Sequence, residues 1–408
     1  MKTRNLKTFI ILSQLSFFQI VLFAQGTEGS WVTLSSSGFT ARKGLTSAVV
    51  NGKIYTICGI GNNGLTNTFI NTLEVFDPLT NSWSTPKTTG AATARYLLTS
   101  AVVNNKIYVL GGTDGTDIAT LEIFDPANNT WVKQTTTGTF TPRAGLTSSV
   151  IGNKIYVIGG ENNFGPLNTL EVFDPATNAW STPSTTGTFL PTSKLTSSVV
   201  GDKIYVMGGY DGSTDLNTLE VFDPSANIWS TPMTTGTFSP RDNLTSSVLS
   251  GKIYVIGGFD QGQAVNTVEV FDPTTNVWST PTTKGALTAR SELTSSVVNG
   301  EIYTIGGISG TIKSTNEVFS TGGTSVRAES VDQYIQLFPN PTAGVISVLS
   351  PNMITQHITV TTILGKKVLE LEDPYSAEFT LDLSKCSPGV YYVKFASARS
   401  VITKMVIR

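Results

Sequence analysis

Cysteine is nearly absent: Cys58 and Cys386 are the only two in 408 residues, and they fall in stretches of different pattern. Such a pair builds no disulfide framework, and each reads as a small buried hydrophobe rather than a reactive thiol. Histidine is scarcer still, and His357 alone cannot assemble a His-rich metal centre. With 14% charged residues and a formal net charge of −2, the chain lacks the basic excess that nucleic acid demands. Long apolar runs are missing except at the start, where "FIILSQLSFFQIVLFA" follows Lys2, Arg4 and Lys7 and ends at Ala24. Ser13, Gln14, Ser16 and Gln19 interrupt that run, so it has the layout of a secretory signal, residues 1–24, with cleavage expected after Ala24. The mature chain then carries about −5 and has no further membrane-spanning stretch.

What the chain has in abundance is Gly, Thr and Ser, the composition of an all-β protein with many turns. Its organisation is repetitive. The string "KIY" or "EIY" places Ile at 54, 107, 155, 204, 253 and 302, and a period near 49 residues marks a repeat architecture. Each copy reads approximately R-x-x-L-T-S-(S/A)-V-V, a two-residue turn, K-I-Y-V-I-G-G, a variable loop, then N-T-L-E-V-F-D-P-x-T-N-x-W-S-T-P. The alternating, β-branched "LTSSVV" and the dipeptides after it predict a tight hairpin into "KIYVIGG". "NTLEVF" is a third strand, "DPxTN" a turn in which Pro presets φ and Asn accepts the left-handed region, and the Trp segment a fourth strand.

Four strands in about 49 residues cannot bury both faces, so neighbouring copies must stack their sheets, and six in a ring make a β-propeller. The doublets Gly111-Gly112, Gly159-Gly160, Gly208-Gly209, Gly257-Gly258 and Gly306-Gly307 fall where backbone turns sharply or approaches closely. Trp83, Trp131, Trp180, Trp229 and Trp278, with Phe76, Phe124, Phe173, Phe222 and Phe271, supply large apolar area between sheets. A Gly-Gly doublet after "IYVI", an aromatic in "EVFD" and a Trp seven positions later, met six times over residues 30–320, resemble the kelch repeat. Phe replaces the Tyr usual in that family, and the first doublet is Cys58-Gly59. The sixth copy ends at Ser320 with neither "FDP" nor Trp, whereas "SWVTLSSSG" at 30–38 is a Trp strand with no copy before it. Joining the two predicts a six-bladed ring over 25–320, closed through Trp31 by pairing of the chain's ends.

The loop between the second and third strands varies from copy to copy ("IGNNGLTNTFI", "TDGTDIA", "ENNFGPL", "YDGSTDL", "FDQGQAV", "ISGTIKS"), so its face is the one free to specialise. Arg42, Arg95, Arg143, Arg241 and Arg290 precede first strands toward that face, with Thr192 in the fourth copy. Guanidiniums around a channel mouth suit a carboxylate or phosphate ligand, and the kelch resemblance implies that such arginines can contact acidic peptides. The competing expectation pairs each with Glu74, Glu122, Glu171, Glu220, Glu269 or Glu317 as structural glue, and recurrence in nearly every copy favours it. "TDGTD" and "YDGSTD" are oxygen-rich but lack the distal Glu of a calcium loop, so they read as turns and no metal or cofactor is expected. The copies are too alike for an evident catalytic constellation. The propeller has no His for the chemistry of kelch-type copper oxidases and no Asp-box of the sialidase kind, which leaves epimerase-like sugar chemistry as the enzymatic alternative.

After Ser320 the repeat stops. Residues 321–334 read as a linker, and short alternating strands between Pro and Gly turns predict a small β-sandwich over 335–408. "FPNPTAG" at 338–344, "LDLSKCSPGVYYVKF" at 381–395 and the terminal "KMVIR" resemble the C-terminal sorting domain of the type IX secretion system (type A, Por), the motif residues being Pro339, Asn340, Pro341, Gly344, Gly389 and Tyr391. That resemblance implies the type IX machinery as partner through 335–408, display at or release from the surface of a Bacteroidetes-type bacterium, and removal of the domain. The expected whole is an exported monomeric propeller that binds a glycan, peptide or matrix component. The alternatives are the sugar-modifying enzyme and a purely architectural surface protein.

Overall fold

The computed structural model describes residues 29–62, 66–321, 336–349, 357–363, 365–372, 378–396 and 401–408. The expected signal, 1–24, and the expected linker, 321–334, lie outside the described residues except for Thr321, which ends the strand Asn316–Thr321. The chain is all-β, and among the described residues there is no helix.

The repeat folds as its turn chemistry dictates. The first copy is an antiparallel sheet in the order Thr46–Val50, Lys53–Ile57, Leu73–Asp77, Ser82–Ser84. Its hairpin turns on Asn51 and Gly52, both at positive φ, as are Asn104-Asn105, Gly152-Asn153, Ser250-Gly251 and Asn299-Gly300 in other copies. That is the primed turn whose twist matches the flanking strands. The "DPxTN" turn closes with Asn81, Asn129, Asn178, Asn227 or Asn276 in the left-handed region, and its Asp accepts a backbone N–H two residues on, as Asp77 Oδ1 does from Leu79 at 2.9 Å. The same aspartates take a Lys from the second strand, from Lys53–Asp77 at 3.0 Å to Lys203–Asp223 at 3.3 Å.

Five such four-stranded sheets and a sixth, five-stranded one follow one another, and two sets of contacts tie each to the next in a cycle. In the apolar layer, Tyr55 packs on Phe124, Tyr108 on Phe173, Tyr156 on Phe222, Tyr205 on Phe271, Tyr254 on Phe319 and Tyr303 on Phe76, with ring centroids 5.4–6.1 Å apart. Along the first strands, a hydroxyl belt links Thr46 to Ser100, Thr99 to Ser148, Thr147 to Ser197, Thr196 to Ser246, Thr245 to Ser295 and Thr294 to Ser47 at 2.6–2.8 Å. Small Thr and Ser side chains are needed there because adjacent first strands converge on the axis.

Gly29–Thr33 adds as a strand to Asn316–Thr321, with Trp31 opposite Phe319. Their ring centroids lie 5.1 Å apart, as in Phe76–Trp83 and Phe173–Trp180. Trp31 is 7% exposed. Cys58, in the first doublet, is fully buried at a φ of 58°, and burial pushes its thiol up to about 12, so it packs and does not react at neutral pH. The glycines of the other doublets have no room for a Cβ: at Gly112 (φ 88°) one would stand 2.9 Å from the Tyr96 carbonyl.

The C-terminal strands form two sheets, Gln336–Phe338, Val345–Leu349, Glu378–Asp382 and Lys367–Glu372, His357–Thr362, Val390–Ala396, Val401–Ile407. Between them lies a core of Ile346, Val348, Ile358, Val360, Leu381, Val393, Phe395 and Val406, on which Cys386 packs. His357 sits at the surface, its Nε2 2.8 Å from Glu370.

Candidate functional site

Immediately before each first strand the backbone takes the left-handed conformation, at Gly44, Leu97, Gly145, Lys194, Asn243 and Glu292, with φ between 50° and 62°. The N–H of each donates to the carbonyl of the preceding one, from Leu97 to Gly44 round to Gly44 to Glu292, at 2.7–2.9 Å. This ring of six hydrogen bonds surrounds the channel mouth and offsets the strain that a non-glycine residue carries at positive φ. Next along each strand, Leu45, Leu98, Leu146, Leu195, Leu244 and Leu293 share with the ring a cavity of about 90 Å³. The leucines are at most 7% exposed, so the channel is narrow and apolar directly inside its mouth.

The ring position changes residue from copy to copy although the Leu after it is constant. Gly44, Gly145 and Asn243 carry the sequence signal of a left-handed residue, but Leu97, Lys194 and Glu292 do not, and sequence reasoning overlooked the whole set. Lys194, Asn243 and Glu292 border a larger cavity of about 580 Å³ together with Asp242, Phe259, Gln263, Ser291 and Ile308. This cavity joins the ring to the variable loops of the fifth and sixth copies, so both lie on one face. Its electrostatics are mixed. Lys194 stands 3.6 Å from Glu161 and 5.1 Å from the Tyr210 ring centre, while Lys43 reaches Glu292 at 3.0 Å. Burial, reinforced by Asp215, raises the Asp242 carboxyl to about 6. On the same variable loops Phe164 is 98% exposed, and Phe69 and Phe259 are more than a third exposed. In a chain that buries its large aromatics between sheets, these are surfaces available to a partner.

The arginines lie elsewhere than a ligand would need them. Arg42, Arg95, Arg143, Arg241 and Arg290 are fully buried. Each holds the glutamate of its own sheet: Arg42 bonds Glu74, Arg95 meets Glu122 at 2.5 Å, Arg143 Glu171 at 2.5 Å, Arg241 Glu269 at 2.5 Å and Arg290 Glu317 at 2.7 Å. Some of the other donors go to backbone carbonyls and Thr hydroxyls, as Arg95 Nη1 does to Gly111 and Arg95 Nη2 to Thr120 at 3.0 Å each, whereas Nε of Arg42, Arg143, Arg241 and Arg290 has no hydrogen-bond partner among the described residues. The ligand-contact expectation for these five residues is therefore corrected: a guanidinium with no solvent exposure and a carboxylate already on it has nothing to offer an incoming anion. The glutamates in turn accept the backbone N–H and the hydroxyl of Thr40, Thr93, Thr141, Ser239 or Thr288, which clamps the entry to each first strand against the third. Burial lowers the Arg290 guanidinium to about 10 against the pull of Glu317. In the fourth sheet Glu220 has no arginine, and burial raises its carboxyl to about 7.

The Asp-rich loops cap themselves. Asp114 Oδ1 accepts from the N–H and hydroxyl of Thr116, and Asp211 Oδ1 from the N–H groups of Ser213 and Thr214.

With this geometry in view, the comparison with known families is direct. The profile of the KLHDC2/KLHL20/DRC7 Kelch-repeats domain matches residues 12–160 and 98–307. The chain belongs to the kelch-repeat family. A secretion system C-terminal sorting domain, the Por tail, matches residues 336–408. The kelch chain is thus exported by type IX secretion to the cell surface or extracellular space, and no helix among its described residues is long and apolar enough to cross a membrane.

In the kelch protein's Por tail the three sequence motifs converge. The Ile407 N–H donates to Asn340 Oδ1 at 2.9 Å and the Thr342 N–H to the Ile407 carbonyl at 2.8 Å. Gly389 and Arg408 exchange both backbone bonds at 2.8 and 2.9 Å, Leu383 donates to the Gly344 carbonyl at 2.6 Å, and the Tyr391 hydroxyl donates to Ser387. Gly344 has φ 144°, and a Cβ there would come within 3.0 Å of Ser384. Pro339 and Pro341 flank Asn340 in this cluster.

Proposed function

We propose that the chain is an exported interaction protein that binds a glycan, peptide or matrix component on the variable-loop face of its propeller. One observation carries this: the cavity of about 580 Å³ at the channel mouth is lined by Lys194, Asp242, Asn243, Phe259 and Glu292, at positions where the residue changes from copy to copy. A chain that repeats its core so faithfully departs from repetition where a ligand would be distinguished. An aromatic wall with opposite charges set around it suits a polar chain molecule, sugar or peptide, better than a lipid or a nucleic acid. Architectural use alone would leave that asymmetry and the exposed Phe164 without purpose.

The raised Asp242 carboxyl favours a second reading, acid–base work on a sugar in the same cavity. One experiment serves both. The exported protein, its K194A variant and its D242N variant are applied to glycan and peptide arrays, and the bound material is recovered and analysed. The binding reading expects a ligand retained by the parent, chemically unchanged, and held at least tenfold more weakly by both variants. Recovery of an altered sugar lost in D242N would favour the enzyme, and variants that bind as the parent does would remove this cavity as the site.

A further inference from the structure

The fourth sheet departs from the other five at two residues that face one glutamate. Elsewhere that glutamate receives a buried arginine and a Thr or Ser hydroxyl. Here Leu190 stands at the hydroxyl position and Thr192 at the arginine position. The carboxylate nevertheless remains: Glu220 is 5% exposed, and the bond it keeps is from the Leu190 N–H at 3.2 Å. Thr192 Oγ1 turns back to the Leu190 carbonyl at 2.9 Å, away from the glutamate. A buried carboxylate without a cation is costly enough that removal of one partner of such a pair is normally destabilising. Loss of both partners of Glu220 without loss of Glu220 itself calls for a replacement from outside the sheet.

The same chain shows five times what the replacement should be. In the third and fifth sheets a guanidinium joins the glutamate to the Val157 or Val255 carbonyl, and Val206 holds that position in the fourth. A planar fork of N–H donors suits this pair of acceptors, whereas a metal ion would want three or more ligands converging, and no group of three His, Cys, Asp or Glu side chains placed to hold one exists among the described residues. Leu190, whose N–H holds the carboxylate, is 46% exposed, so Glu220 lies one residue in from the surface.

We propose that the fourth sheet is a socket for a guanidinium, an arginine side chain of a peptide or protein partner, which takes on Glu220 the place that the chain's own arginine holds in the other five sheets. Leu190, Thr192 and Glu220 do not line the mouth cavity, so this socket stands or falls independently of the proposed function.

The test uses agmatine, a guanidinium on a flexible alkyl chain, against butylamine as the ammonium control, titrated into the full exported chain with melting temperature and calorimetry as readouts. Saturable stabilisation by agmatine and at least tenfold weaker binding of butylamine are expected. Thr192→Arg, which restores the internal cation, should raise the melting temperature by itself and abolish the agmatine response, and Glu220→Gln should abolish that response too. No response in the parent chain, or an equal response in Thr192→Arg, would overturn the proposal. Should Glu220→Gln fail to fold, the Thr192→Arg comparison decides alone.

Discussion

At the residue scale, the recurrent Arg–Glu pair shows how one substitution changes the chemistry of a position that the backbone leaves unchanged. Five glutamates sit beneath a guanidinium, and Glu220 sits beneath a threonine and a leucine. Its carboxyl is raised to about 7 by burial, with the Leu190 N–H opposing. The linkage then has a definite sign. A carboxyl whose folded pKa lies above its unfolded value near 4.5 binds its proton more tightly in the native state, so its contribution to stability is greatest below about 4.5. That contribution declines as pH rises toward about 7 and is constant above. The decline amounts to roughly 3 kcal/mol across that window. Urea titrations of the parent and of Glu220→Gln at intervals from pH 4.5 to 8 should therefore diverge, with the Gln variant gaining relative stability as pH rises. Parallel curves would show that Glu220 does not titrate in this range.

At the element scale, the strand Gly29–Thr33 matters out of proportion to its length. It supplies the sixth sheet with the Trp that the sixth copy lacks, and its register sets Trp31 against Phe319. Without it, Asn316–Thr321 would present an unpaired edge beside Phe319, a fully buried ring. Trp31→Ala should cost about 3–5 kcal/mol, the range of aromatic-to-alanine changes in cores. The loss should also be local: amide exchange in Asn316–Thr321 ought to accelerate more than in Leu170–Asp174, its counterpart in the third sheet. Equal acceleration in both would deny this strand its special role at the seam.

At the scale of the whole molecule, binding and export are separated along the chain. The propeller strands carry their aromatics in contact cycles of their own, and the Por tail has its own apolar core. We propose that the boundary lies between Ser320 and Tyr334, so that deletion of residues 335–408 leaves the propeller folded and confined to the periplasm. Circular dichroism of the truncated protein and protease accessibility on intact cells check the two halves of that statement, and surface display of the truncated chain would contradict the second. How much of this was legible in the sequence varied with the origin of each feature. Turns, doublets and the Trp31 strand were legible because they depend on local φ/ψ and on a repeat that shows where a member is missing. The mouth ring was not, because Leu97, Lys194 and Glu292 adopt positive φ only when a hydrogen-bonded neighbour in the next sheet holds them there.

The sequence by itself determined the all-β class, the periodic sheets and the export address, since each rests on short-range chemistry: hairpin dipeptides, alternating apolar residues and a tail of contiguous motifs. Only the tertiary structure decided what the arginines do. Guanidinium and glutamate lie 27 to 32 residues apart within a sheet, and nothing local tells whether the side chain turns outward to the mouth or inward to the third strand. Packing turns it inward, where a carboxylate in a medium of low dielectric holds a cation far more strongly than water would. That choice moves the candidate ligand site from the repeated arginines to the unrepeated residues of the mouth cavity.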